Sequence, residues 1–174
     1  MLEKLNDITT FIFDVDGVLT DGTALASDTG ELLRVFNIKD GYAMQLAVKK
    51  GYQLCIISGS SGQAMQKRFA GLGIQDVYLA VGNKVSVYEK YIKEKGISPH
   101  QVLYMGDDIP DLAVMQLVGL ATCPRDAVDE IKQVAHYIST HNGGKTAARD
   151  VIEKVLRTQG KWFDENPLAH DSGI

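Results

Sequence analysis

Residues 11–22 read FIFDVDGVLTDG, an apolar strand that stops on two aspartates separated by one valine and followed by a glycine. The stretch from Ile8 to Phe13 is short and rich in β-branched and aromatic residues. That is the pattern of a central strand buried on both faces, and it delivers Asp14 to its carboxyl end. Side chains alternate along a strand, so Asp14 and Asp16 can project to the same side. Two carboxylates that close raise one another's pKa unless a cation lies between them or one keeps its proton. The spacing asks for a metal ion, a shared proton, or both.

Outward from this stretch, short apolar strands alternate with helical patterns. Strands are expected at Thr9–Phe13, Gln53–Ile57, Val77–Leu79, Val102–Met105 and near Leu120. Helices are expected over about 41–50, 63–72, 84–95, 110–117, 127–134 and 146–158, with Gly51, Gly73 and Gly96 where helices should stop. The alternation predicts an α/β fold, a doubly wound, Rossmann-like parallel sheet with helices on both faces, whose ligands bind beyond the carboxyl ends of the strands. Between Gly22 and Asn37 the rhythm breaks into strand, turn, strand, a β-hairpin flap turning at Ser27–Gly30. The expected organisation is one domain over residues 1–160 and a polar C-terminal tail over 161–174, GKWFDENPLAHDSGI from its preceding glycine.

The composition excludes several classes of function. With a net charge of −4 and no Lys/Arg run, the chain carries no electrostatic footprint for nucleic acid or an anionic membrane surface. Its apolar runs are too short to span a bilayer, and the start, MLEKLNDITT, lacks the pattern of a secretory signal, so a cytoplasmic protein is expected. Cys55 and Cys123 lie in or beside apolar runs and read as reduced, buried thiols. His100, His136, His141 and His170 show no metal-ligand spacing.

The strand ends, taken together, carry the chemistry. After the first strand come Asp14 and Asp16; after the second, Ser58-Gly59-Ser60-Ser61-Gly62; at the start of a later helix, Lys84; after the fourth strand, GDDIPD, containing Asp107, Asp108 and Asp111. Carboxylates with one lysine and one serine suit a phosphoryl group held by a hard cation. Asp14 can act as nucleophile toward phosphorus, with Asp16 as general acid and then general base. Mg²⁺ takes oxygen ligands and keeps several waters, so Asp14, Asp16 through its backbone carbonyl, and Asp107 suffice as metal ligands. Asp108 and Asp111 would support that site, Asp111 acting through water or a hydrogen bond. Lys84 neutralises charge on the phosphoryl oxygens, and Ser58, Gly59 and the following amides form an anion cradle at a helix N-terminus.

DVDGVLT, a strand ending in Ser-Gly, a lysine and GDDxxD, in this order over nearly the whole chain, resemble the haloacid dehalogenase-like phosphatases. The resemblance implies an aspartyl-phosphate intermediate and Mg²⁺. Asp16 stands where the phosphatases carry Asp and the ion-pumping relatives carry Thr.

GELLRVFNIKDGYAMQLAVKKG, GDDIPDLAVM, NGGKTAARD and GKW are similar to a narrower group, the 3-deoxy-D-manno-octulosonate 8-phosphate (KDO 8-phosphate) phosphatases, which release a free sugar acid on the route to lipopolysaccharide. These enzymes lack a cap domain. Here too residues 16–40 leave room only for a hairpin, and residues 84–107 only for a helix and a strand. The resemblance implies a homotetramer whose subunits enclose one another's sites through the hairpin and tail, with Arg68 reaching the sugar acid, from an adjacent subunit. Lys145 and Arg149, four apart on the last expected helix, would form a second basic face toward the substrate. Relatives commonly carry Arg or Glu where this chain has Ser60-Ser61-Gly62, which leaves open the nine-carbon analogue, 3-deoxy-D-glycero-D-galacto-nonulosonate 9-phosphate. A receiver-like phospho-switch uses similar residues without turnover, but has no need of Asp16.

Overall fold

A computed structural model of the protein describes residues 2–162. Six strands form one parallel sheet: β1 (Thr10–Phe13), β4 (Gln53–Ile57), β5 (Asp76–Tyr78), β6 (Val102–Met105), β7 (Leu120–Cys123) and β8 (Tyr137–Ile138). Their order is β5-β4-β1-β6-β7-β8, so β1 lies at the centre with Phe13 in register with Ile56 on one side and Met105 on the other. From β1 the chain runs out through β4 to β5 and then returns to β6 on the opposite flank. The change of direction at β1 is the switch point where such sheets open a crevice.

All four β1 residues are buried, and their alternation divides the core into two layers. Phe11 and Phe13 face α2 (Ile38–Lys49), α3 (Gln63–Gly71) and α7 (Ala147–Thr158), meeting Met44, Phe69, Ile152 and Val155. Ile12 faces α4 (Lys84–Lys95), α5 (Leu112–Met115) and α6 (Asp129–Val134), meeting Tyr88, Tyr91, Val114 and Ile131. Cys55 and Cys123 are buried, unpaired thiols, as the sequence indicates. Among the described residues no helix is long and apolar enough to cross a membrane.

Helix starts follow capping chemistry. The Asn37 side chain accepts from the Lys39 and Asp40 amides, which opens α2 three residues before the expected Gly41, and Asn83 accepts from the Ser86 amide to open α4. The hairpin is present as β2 (Leu25–Ala26) and β3 (Leu32–Leu33), antiparallel, with its turn closed by Gly30 N–H donating to Ser27 O. Two elements were not expected, α1 (Leu2–Asp7) and β8. The last helix begins at Ala147, after a turn in which Thr146 takes φ 77°, so Lys145 precedes it and does not share a helical face with Arg149. Of the expected tail, only Lys161 and Trp162 fall within the described residues.

Candidate active site

Beyond the carboxyl ends of β1, β4 and β6 lies an open cleft of about 630 Å³, lined by Asp14, Asp16, Ser58, Lys84, Asp107 and Asp111 among others. Asp14 follows β1, Ser58 follows β4, Asp107 follows β6 by one glycine, and Lys84 opens α4. The sheet brings together residues that stand up to 97 positions apart in sequence, from Asp14 to Asp111.

The DVDGVLT loop is fixed from below. Val15, Val18 and Leu19 are buried, and the Val15 carbonyl accepts from the amides of Val18, Leu19 and Thr20. The buried Thr20 hydroxyl accepts from the Gly17 and Gly22 amides and donates to Val15 O. Gly17 has φ +78°, and a Cβ there would fall 1.9 Å from Asp107 Oδ2. Only glycine permits both that backbone and so close an approach of Asp107.

Asp14, Asp107 and Asp111 each present an oxygen within 4.8 Å of the other two. Lys84 Nζ lies 3.1 Å from Asp14 Oδ1 and 2.6 Å from Asp111 Oδ1, all three side chains being nearly covered. The Lys84 contact with Asp14 is an ion pair without good hydrogen-bond alignment, so the buried Oδ1 of Asp14 receives no hydrogen bond. Asp111 is held firmly: Oδ1 also accepts from Tyr104 Oη at 2.5 Å, and Oδ2 accepts from the Asp107 amide at 3.2 Å. Burial pushes the Asp14 carboxyl up to about 6, with the Asp111 charge adding and Lys84 opposing. Burial and the charges of Asp14, Asp111 and Asp108 push Asp107 up to about 8. Lys84 sits above its ordinary value, because the two carboxylates outweigh its own burial. Two buried carboxylates and one half-buried, against one lysine, make a set of hard oxygen donors that fits a divalent cation such as Mg²⁺.

Asp16 lines the same cleft with hydrogen-bond partners of its own. Its carboxylate takes Arg34 Nε at 2.5 Å on Oδ1 and Arg34 Nη2 at 3.1 Å on Oδ2, and Ser60 Oγ also donates to Oδ2. Burial alone would raise its pKa, but these donors and the Arg34 charge together hold it below the usual carboxylate value. Asp14, Asp16, Ser60, Lys84 and Asp107 therefore all line one cleft. Ser58 is buried with Oγ accepting from the Ser60 amide, and Gly59 lines the cleft beside it.

Of the other residues singled out in the sequence, Asp108 lines the cleft, whereas Arg68 and Lys145 do not. Asp108 is exposed and caps the short 3₁₀ turn that follows, accepting from the Ile109 amide. Arg68, on α3, packs its guanidinium against α2 at Gly41 and does not line this cleft. Lys145 is exposed and lies 3.8 Å from Asp21. Three residues at the site had escaped notice: Arg34, Thr20 and Tyr104. Tyr104 had a usable signal, since a tyrosine in a buried strand must find a partner for its hydroxyl.

Comparison with known proteins agrees with this geometry. A profile of the haloacid dehalogenase-like hydrolases matches residues 75–149. The KDO 8-phosphate phosphatase KdsC of Escherichia coli K12 is 35% identical over 161 residues, 92% of this chain and 86% of the relative. The crystal structure of the corresponding phosphatase from Yersinia pestis superposes with a TM-score of 0.90 at 33% identity, covering 92% of this chain and 87% of that one. The Moraxella catarrhalis enzyme, solved in complex with a magnesium ion, a phosphate ion and KDO, gives 0.89 at 30% identity, covering 92% of each chain. With the carboxylate cluster at the switch point and no cap domain among the described residues, the chain belongs to the haloacid dehalogenase-like hydrolases, in the group of the 3-deoxy-D-manno-octulosonate 8-phosphate phosphatases.

Proposed function

We propose that the protein hydrolyses 3-deoxy-D-manno-octulosonate 8-phosphate to the free sugar acid and phosphate, through an aspartyl-phosphate on Asp14. The observation that carries this reading is the buried Asp14 carboxylate, in ion-pair contact with Lys84 and grouped with Asp107 and Asp111 in the cleft. Asp14 attacks phosphorus, the bond to the sugar oxygen breaks, and Asp16 supplies the proton that the leaving alkoxide takes. Water then attacks the phosphoryl group, Asp16 accepts its proton, and Asp14 departs as the carboxylate. The first step calls for protonated Asp16, which the Arg34 pair disfavours; the second calls for the ionised form, which that pair favours. Lys84 offsets charge on the phosphoryl oxygens, and Ser58 with the Gly59 and Ser60 backbone cradles them. Mg²⁺ would be held by Asp14, Asp107 and the Asp16 backbone carbonyl, with Asp108 and Asp111 in support, and when bound it neutralises phosphoryl charge.

Such an open cleft surrounds a sugar poorly, and positioning and water exclusion both need walls. The hairpin exposes Leu25, Leu32, Leu33 and Val35, an apolar edge suited to burial against another copy. A cytoplasmic homotetramer follows from this reading, with Arg68 and Lys145 contributing cations to the sugar acid across subunits.

A phosphate-release panel tests the reading. KDO 8-phosphate should give the highest kcat/KM over multiple turnovers. Preference for the nonulosonate 9-phosphate would reassign the substrate, and release that stops after one equivalent would indicate a phospho-switch.

A further inference from the structure

Asp16 differs from the other carboxylates of the cleft in what fixes it. The side chains of Asp14 and Asp111 are 11% and 1% exposed and are packed in place, whereas 38% of the Asp16 side chain is open to solvent. Its orientation depends on three donors from two other segments. Arg34, one residue beyond β3, lays its guanidinium fork across both oxygens, and Ser60 donates to Oδ2. The same Arg34 Nη2 lies 2.9 Å from Ser60 Oγ, and Nη1 is anchored on Leu32 O at 3.0 Å. Only 6% of the Arg34 side chain is exposed, although it stands on a peripheral hairpin.

A carboxylate offers about four acceptor sites, two on each oxygen. Arg34 Nη2 and Ser60 fill those of Oδ2, and Arg34 Nε takes one on Oδ1. One site remains, on Oδ1. We propose that Arg34 is a positioning residue for Asp16, which it holds with this single free Oδ1 site available to the water that hydrolyses the aspartyl-phosphate. The inference rests on the phosphatase reading above. In that step the water oxygen bonds to phosphorus, the bond from phosphorus to the Asp14 oxygen breaks with its electron pair returning to Asp14, and the water proton passes to Asp16 Oδ1. Water brings no binding energy of its own to this step, so its alignment depends on how well the base is held.

p-Nitrophenyl phosphate isolates the effect, because its leaving group departs without a proton and the first step then makes no demand on Asp16. In Arg34→Ala the kcat for this ester should fall roughly 10-fold, below the 10² to 10⁴ that general base catalysis can supply, since Asp16 remains. KM should fall in parallel, leaving kcat/KM within about twofold, and the steady-state fraction of phosphorylated Asp14 should rise, because only the second step is slowed. Arg34→Lys, which keeps the charge without the fork, should recover part of kcat, and Ser60→Ala should lose about threefold in the same manner. Unchanged kcat overturns the proposal. So does a lower kcat/KM with a higher KM, which would mean that Arg34 grips substrate or that the hairpin has shifted. A wild-type protein that turns over neither this ester nor KDO 8-phosphate would overturn the phosphatase reading, and the role of Arg34 with it.

Discussion

Lys84→Met removes the one cation among the described residues that touches the carboxylate cluster, while preserving most of the side-chain volume. Lys84 is 8% exposed and contacts Asp14 at 3.1 Å and Asp111 at 2.6 Å, so the variant leaves Asp14, Asp107 and Asp111 together without it. Breaking a buried pair by removing one partner destabilises by roughly 3–5 kcal/mol. Asp107, pushed up to about 8, already holds its proton for the most part at neutral pH, and Asp14, at about 6 while Lys84 opposes the rise, can take one up once Lys84 is gone, which relieves part of the cost. The lower end, about 3 kcal/mol, is therefore expected for the metal-free protein. In a chain of 174 residues that lowers Tm by roughly 6–12 °C. Circular dichroism melts in chelator at pH 7.5 measure it. Added Mg²⁺ should raise the Tm of the variant more than that of the wild type, because a divalent ion replaces the missing charge beside Asp14. Activity should fall about 10²- to 10³-fold even with saturating Mg²⁺, the range for loss of one preorganised charge-stabilising group. A metal-free Tm within about 2 °C of wild type, or activity within tenfold, would refute this account of the cluster.

Gly17→Ala should weaken Mg²⁺ activation at least tenfold, since its Cβ would fall on Asp107 Oδ2; Gly22→Ala shares the φ of +78° but has no atom closer than 3.6 Å, so equal effects in the two would refute the steric argument. Asp14 and Asp107 have folded-state values, about 6 and about 8, raised above their unfolded ones. The folded metal-free protein thus holds these protons more tightly, and their contribution falls as pH rises from about 4 to 8, so metal-free Tm should increase from pH 8 to pH 6 and saturating Mg²⁺ should flatten the trend. Chelation should stop turnover, with Mg²⁺ restoring it and Ca²⁺ failing to, because Ca²⁺ takes more ligands at longer distances. Sedimentation should give a tetramer, and Arg68→Ala should reduce sugar acid phosphate turnover far more than aryl phosphate turnover; a fully active monomer would exclude shared sites.

What the sequence makes legible at this site is set by the length scale of each signal. Asp14, Ser58 and Asp107 could be placed because each stands at or just beyond the end of an apolar strand, and the strand order of a doubly wound sheet carries those ends to one edge. Asp111 is legible as a neighbour of the metal site, but not as a partner of Lys84 and Tyr104, because that depends on the 3₁₀ turn over Ile109–Asp111 returning it beneath Gly106. Arg34 carries no local signal at all: it lies 18 residues from Asp16 and 26 from Ser60, and only the hairpin's placement brings the three together. β8 has two residues and no apolar run, so neither period nor composition marks it. The shared helical face of Lys145 and Arg149 failed for a related reason, since the left-handed Thr146 directly follows Lys145 and the helix begins only at Ala147.

The central claim, that Asp14 receives the phosphoryl group of the sugar acid phosphate, is most directly tested by trapping it. Asp16→Asn protein, slowed both in forming the intermediate and in hydrolysing it, is mixed with phosphorus-labelled KDO 8-phosphate and Mg²⁺ until labelling reaches a plateau, quenched in acid and digested. The account predicts up to one label per chain on the peptide containing residues 11–22, removed by hydroxylamine as an acyl phosphate is, and absent when Asp14 is also changed to Asn. Label on any other residue, or phosphate release by Asp14→Asn at a rate close to wild type, would contradict it.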